Sequence, residues 1–162
     1  MKPIEYPNAL TPIFEKPKRL KIMVGGRGGG KSVAVAAVIA GKAGNGARIC
    51  CGREFQNSID DSVHSLIKNR IHSLEIPGFD VQANKMIHSS GGEIIYKGLA
   101  RNPESIRSIS DVDVLWCEEG NTLSDESLKI MMPSVRSVEK SDKQPEIWIT
   151  MNRGSSNDPI AK

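Results

Sequence analysis

Gly25-Gly26-Arg27-Gly28-Gly29-Gly30-Lys31-Ser32 decides the reading of this chain. The eight residues match G-x-x-x-x-G-K-S, a loop whose glycines curl the backbone so that several N–H groups point at one anion. Leu20, Ile22, Met23 and Val24 precede it as an apolar run suited to a buried strand, and residues 33–40 follow as an apolar run suited to a buried helix. The loop therefore falls at a strand-to-helix turn, and the helix adds its positive end to the anion site. In that frame Gly25, Gly26, Arg27, Gly28, Gly29 and Gly30 cradle the phosphates of a nucleotide. Lys31 reaches the β- and γ-phosphates, and Ser32 places its hydroxyl on Mg²⁺. The alternative is a flexible Gly-rich linker, but such linkers are Gly/Ser-rich and carry no flanking strand and helix.

A second signal lies downstream. Residues 111–117 rise into an apolar strand that ends at Glu118-Glu119. Two acids after such a strand fit the Walker B pattern. Glu118 serves the Mg²⁺ shell, and Glu119 polarises the attacking water as base or positioning group. The usual first acid is Asp; the longer Glu118 suits contact through a metal-bound water. A solvated Glu-Glu-Gly turn is the bland reading of the same residues. Arg27, inside the loop, is placed to neutralise charge developing on the γ-phosphate, or else is a solvated loop arginine. Thr150, Met151 and Asn152 close a last strand over residues 145–151. Their polar groups either sense the γ-phosphate and the lytic water or simply cap the strand.

Between these landmarks the chain alternates strand and helix signals. Residues 1–17 read as Pro-rich and irregular, with a short turn over 8–12. Tyr6 and Phe14 there are either base-stacking residues or, better, apolar anchors on the sheet. Residues 41–46 read as a turn-rich break and 47–52 as a strand. Ile59, Val63, Leu66, Ile67, Ile71 and Leu74 recur at helical spacing over 58–74, ended by Pro77-Gly78. His64 and His72 ride on that helix as packed or solvated residues. Ser89-Ser90-Gly91-Gly92 separates two short strands of a hairpin, and residues 101–110 read as a turn plus a short helix. Ser124 caps a helix that runs to about Met132, with acids in its first turn and Leu123 as a staple. The alternation predicts an α/β fold with a mainly parallel central sheet flanked by helices. Ligands in such sheets sit at the carboxyl ends of strands, where the loop, the acid pair and Thr150-Met151-Asn152 all fall.

Composition fits one folded domain. With 38% hydrophobic and 25% charged residues the chain has a globular rather than a disordered balance. No apolar run approaches a membrane span, and no signal-peptide core opens the sequence, so a cytosolic setting with no membrane partner is the default. Cys50, Cys51 and Cys117 sit in apolar runs and read as buried thiols rather than a disulfide framework or zinc site. A net charge of +3 is too mild to demonstrate nucleic-acid binding, and at 4% aromatics any DNA contact would be through phosphates.

The loop with its internal arginine, the Cys-Glu-Glu ending at 117–119 and the Thr-Met-Asn segment resemble the large terminase subunit of tailed phages, over about residues 19–152. Arg53 and the helix after it are similar to that family too. The resemblance is nearest to headful-packaging terminases of short-tailed enterobacterial phages. It implies a P-loop NTPase of the additional-strand, catalytic-glutamate type that hydrolyses ATP with Mg²⁺ and drives double-stranded DNA into a procapsid. Glu119, Lys31 and Arg27 would be catalytic, Ser32 and Glu118 would hold the metal, and Thr150, Met151 and Asn152 would couple hydrolysis to motion. Arg101, Arg107 and Arg136 are candidates for a finger acting on a neighbouring subunit. The implied partners are DNA, the portal protein, the small terminase subunit and further copies in a ring, in the cytoplasm of the infected bacterium. Residues 1–162 would be the ATPase domain, cut short at its C-terminus. The family's RNase-H-like nuclease domain is expected to be absent from this chain, and nuclease activity with it. The other readings are a GTPase switch, a small-molecule kinase or a module that binds nucleotide without turnover. Asn84-Lys85-Met86-Ile87 lacks the acid of a guanine-reading motif, which argues against the switch.

Overall fold

The computed structural model describes residues 1–54, 59–99, 111–135 and 144–154, without the side chains of 59–61. A 3-10 turn at Asn8–Leu10 leads into helix α1 (Thr11–Glu15). Then follow β1 (Leu20–Gly25), α2 (Lys31–Gly44), β2 (Arg48–Arg53) and α3 (Ile59–Ser73). The short strands β3 (Phe79–Val81) and β4 (Lys85–His88) come next, then β5 (Glu93–Gly98) and β6 (Val114–Cys117). Helix α4 (Asp125–Ser134) and β7 (Glu146–Asn152) complete the described elements.

The strands form one sheet in the order β1-β7-β6-β2-β5-β4-β3. The five strands from β1 to β5 run parallel, and β4 and β3 are added antiparallel. The mainly parallel α/β sheet expected from the sequence is what forms.

Period-two alternation sorts the buried side chains onto two faces. Met23, Ile49, Cys51, Trp116 and Trp148 pack with Ala36, Ile39 and Ala40 of α2 and Val63, Ile67 and Ile71 of α3. Cys50, Leu115, Cys117, Ile147 and Ile149 pack on the other face with Leu123 and Met131. Adjacent Cys50 and Cys51 thus point to opposite faces, and all three cysteines are free and buried. Burial raises each thiol's pKa, that of Cys50 to about 12. Leu20, Ile22 and Val24 of edge strand β1 remain exposed.

Several boundaries differ from the sequence reading, each for a tertiary reason. Helix α2 runs through Gly41 to Gly44 instead of breaking at 41. A Cβ on Gly41 would stand 2.9 Å from Ile4 Cδ1, so Ile4 packs closely on this helical glycine, and the turn comes only at Gly46 with φ +92°. The N-terminal stretch is helical over α1; Tyr6 meets Phe14 edge-on at 4.8 Å between centroids, and Phe14 lies tilted against Trp148 at 5.5 Å. Tyr6 and Phe14 thus pack on the sheet's core as the apolar anchors expected. The hairpin gains a third strand, β3. Ser124 Oγ accepts from Ser127 N–H as the expected cap, but α4 continues through Pro133 to Ser134. The expected short helix over 101–110 lies outside the described residues.

Candidate nucleotide site

The sheet register brings the three sequence signals to one level. Gly25 pairs with Asn152 across β1 and β7, Ile149 with Cys117 across β7 and β6, and Cys117 with Gly52 across β6 and β2. Strands β1, β7 and β2 therefore end at this side of the sheet in Gly25, Asn152 and Arg53, and Glu118 directly follows the end of β6 at Cys117.

Between β1 and α2 the backbone turns on Gly28 and Gly30, with φ of +76° and +71°, a region that costs an L-residue about 1–2 kcal/mol. Gly29 N–H closes the turn onto Gly26 O at 3.4 Å, and Ala34 N–H bonds Gly30 O at 2.8 Å to start the helix. No acid stands in the first turn of α2, so its positive end is not neutralised there. Lys31 Nζ folds back and donates to Gly25 O at 3.0 Å and Gly26 O at 2.8 Å. An ammonium satisfied by carbonyls can exchange them for phosphate oxygens without leaving the loop.

A cavity of about 300 Å³ opens over the loop. Its lining is residues 27–33, Glu118, Glu119 and residues 150–152. Residues 27–32 of the predicted loop, the acid pair and the strand-end segment thus share one cleft, while the predicted Gly25 and Gly26 are not on its lining. Arg27 is exposed on the rim. Thr150 is buried, and its Oγ1 accepts from Trp116 Nε1 at 3.0 Å, so its hydroxyl is already tied to the acid-bearing strand. Half-buried Asn152 is the more available polar group of the segment.

The acid pair is held by a residue to which the sequence reading assigned no role. Arg53 Nε donates to Glu118 Oε2 at 2.9 Å, Arg53 Nη2 pairs with the same oxygen, and Nη2 lies 3.5 Å from Glu119 Oε1. The side chains of Arg53 and Glu118 are 8% and 14% exposed, that of Glu119 50%. A lone basic residue directly after an apolar strand, at the same sheet end as the acids, was the available signal. Glu119 itself has φ +55°, and Thr122 bonds its carbonyl through both N–H and Oγ1 at 2.8 Å.

Ser32 and Glu118 are among the hard oxygen donors on the cavity lining, with Glu119, Thr150 and Asn152 beside them and phosphate oxygens to be added. That set suits Mg²⁺, which takes one or two carboxylates plus substrate phosphates rather than a protein cage. Among the described residues no group of three or more His, Cys, Asp or Glu could hold a metal. Arg101, Arg107 and Arg136 lie outside the described residues.

A phosphate loop at a strand-to-helix turn, with one strand inserted between it and an acid-ended strand, defines a P-loop NTPase of the additional-strand class. A family profile described as the phage terminase large subunit matches residues 17–161. The chain belongs to that family. The large terminase of a thermophilic bacteriophage superposes with a TM-score of 0.69 at 14% identity, over 89% of this chain and 36% of that one. The same phage's large terminase in complex with ADP gives 0.62 at 14% identity, over 84% and 34%. The N-terminal domain of the DNA packaging ATPase from bacteriophage phi29 gives 0.68 at 15%, over 96% and 82%. The chain spans 36% of the length of the thermophilic-phage terminase. No match was found among curated protein sequences.

Proposed function

We propose that residues 1–162 are the ATP-hydrolysing motor domain of a DNA-packaging terminase. One observation carries this reading: the anion loop and the acid pair line the same cleft. The loop amides and Lys31 hold the β- and γ-phosphates, and Ser32 and Glu118 hold Mg²⁺. That metal would supply neutralisation of the charge on the β- and γ-phosphates. Glu119 accepts a hydrogen bond from the attacking water and draws off its proton. Arg27 stabilises charge gathering on the γ-phosphate. Thr150, Met151 and Asn152, in register with Met23, Val24 and Gly25, carry the change at the phosphates into strand β7.

The motor's cargo is double-stranded DNA, and its partners are the portal protein, the small terminase subunit and further copies in a ring, in the infected cell's cytoplasm. The thermophilic-phage terminase in complex with ADP and the phi29 packaging ATPase support nucleotide binding and the packaging role. Kinship with headful-packaging terminases of short-tailed enterobacterial phages rests on the motifs alone. The test is hydrolysis by the full chain with Mg²⁺ and either ATP or GTP, with and without double-stranded DNA. ATP-selective turnover is expected. GTP selectivity would point to a switch, and tight binding without turnover to a binding module.

A further inference from the structure

We propose that a second cavity, beneath the amino ends of β1, β7, β6 and β2, is a docking site for an acidic segment of a partner protein. The segment's carboxylates are taken by Lys42 inside the cavity and Lys18 at its mouth. The site lies at the end of the sheet opposite the nucleotide cleft and depends on none of the roles assigned there.

The cavity measures about 760 Å³, against about 300 Å³ over the phosphate loop. Its lining comes from the approach to β1 (Pro17, Lys18), the end of α2 (Lys42, Asn45) and the starts of β6 and β7 (Asp113, Glu146). The carboxylates are already engaged. Glu146 Oε2 lies 2.6 Å from the buried Lys21 Nζ and accepts from Trp148 Nε1 at 2.6 Å. Asp113 Oδ2 accepts from Arg48 N–H at 2.8 Å. The lining ammonium groups are not engaged in this way: among the described residues neither Lys18 nor Lys42 has an ion pair. Half-buried Lys42 stands over the Trp148 ring, with Nζ 5.7 Å from its centroid, and Lys21 Nζ lies 5.0 Å from the same centroid. With Lys21 behind the wall, three ammonium groups face two carboxylates, so the cavity favours an anion.

The same wall decides the kind of anion. Duplex DNA presents rows of phosphates and is bound by cations spread along an open face. Here Lys42 is half-buried, and Asp113 and Glu146 share its cavity, so a row of phosphates would meet carboxylates as well as ammonium groups. A peptide carries its carboxylates singly, on flexible stems. One Asp or Glu side chain can enter toward Lys42 while a neighbour meets the exposed Lys18. The amides of Asn45 and Gln144 offer both donors and acceptors to the peptide's main chain. The volume lies within the range of ligand pockets, about 300–1,000 Å³, and is more than one small anion fills. No Ser, Cys or His stands among the described lining residues, so docking is what the site offers.

The experiment titrates the full chain with a hexaglutamate peptide, a short DNA duplex and succinate, each followed by calorimetry. Tryptophan emission is recorded alongside, because Lys42 stands over Trp148. Single-site binding of the peptide is expected, about tenfold or more tighter than succinate, since its carboxylates are linked on one chain. Lys42→Gln should weaken the peptide about fivefold and Lys18→Gln about twofold, the smaller loss belonging to the exposed charge. Lys42→Arg keeps both the charge and the contact with the ring, and should stay within about twofold of the parent. Lys68→Gln, on the exposed face of α3, should leave binding unchanged. Absence of peptide binding overturns the proposal, as does succinate binding as tightly as the peptide. A duplex that binds more tightly than the peptide, and is weakened by Lys42→Gln, assigns the cavity to nucleic acid and overturns it too. If Lys42→Gln shows no cooperative melt, Lys18→Glu at the exposed mouth decides: weaker peptide binding supports the docking site, and unchanged binding refutes it.

Discussion

Trp116 Nε1 donates to Thr150 Oγ1 at 3.0 Å, tying the strand that ends in the acid pair to the strand that ends in Asn152. Both residues are buried, and Trp116 also pairs directly opposite Trp148 in the β6–β7 register. Thr150→Val keeps the shape but leaves the indole N–H unpaired, at a cost of about 1–3 kcal/mol. Thr150→Ser keeps an acceptor and should recover most of that loss. Urea denaturation followed by tryptophan fluorescence checks both variants; equal stability of Thr150→Val and the parent would show that the bond contributes nothing.

Gly30→Ala should weaken nucleotide binding through the backbone. Space is not the obstacle, since the added Cβ would meet only Pro7 Cγ, at 3.9 Å. The φ of +71° is the obstacle. Holding alanine there costs about 1–2 kcal/mol, and relaxing it turns loop amides away from the phosphates. About a tenfold loss of ADP affinity is expected, since about 1.4 kcal/mol is a factor of ten. Calorimetry reads it directly, and an unchanged Kd would show that the cradle does not depend on this turn.

Gly92→Ala should damage the fold far from the site. A Cβ there would stand 2.0 Å from Ala43 O at the end of α2, a backbone atom that cannot swing aside. The hairpin and the helix must separate, with an overpacking penalty of about 2–3 kcal/mol. That predicts a drop in Tm of roughly 5–10 °C for a chain of this size. A melt within about a degree of the parent would show that the β4–β5 turn tolerates a side chain.

Alkaline pH should destabilise the fold through Cys50. Its thiol is raised from 9.0 to about 12 by burial. A group whose folded pKa is raised contributes fully below the unfolded value and loses that contribution as pH rises toward the folded value. Between about pH 8 and pH 10 the unfolded chain gives up this proton and the folded chain does not, a loss of about 1.4 kcal/mol. Cys50→Ala should lose less between those two pH values than the parent, by about that amount. Denaturant midpoints at the two pH values test it; identical pH slopes in the two proteins would contradict it.

The meeting of the loop and the acid pair in one cleft was legible because its signals are local. A run of glycines closed by Lys31-Ser32, with an apolar flank on each side, has few other uses, and Glu118-Glu119 after an apolar strand marks the same sheet end. Ser124 was readable as a cap for the same reason. What the chain hid was set by distant neighbours. Gly41 and Gly44 look like helix breakers until Ile4 and Ile76 are seen against them. Strand β3 is three residues long, too short for alternation to register. The bridging part of Arg53 depends on β2 lying beside β6. Arg53 and Glu118 are 65 residues apart in sequence, and no spacing rule announces their meeting.

The most direct test of the shared cleft is Glu119→Gln in the full chain, with ATP hydrolysis and ADP affinity measured on the same preparation. Loss of turnover by about 10²- to 10⁴-fold, as for removal of a general base, with ADP affinity essentially retained, is the expected result. Hydrolysis at the parent rate would contradict the pairing of the phosphate loop with this acid.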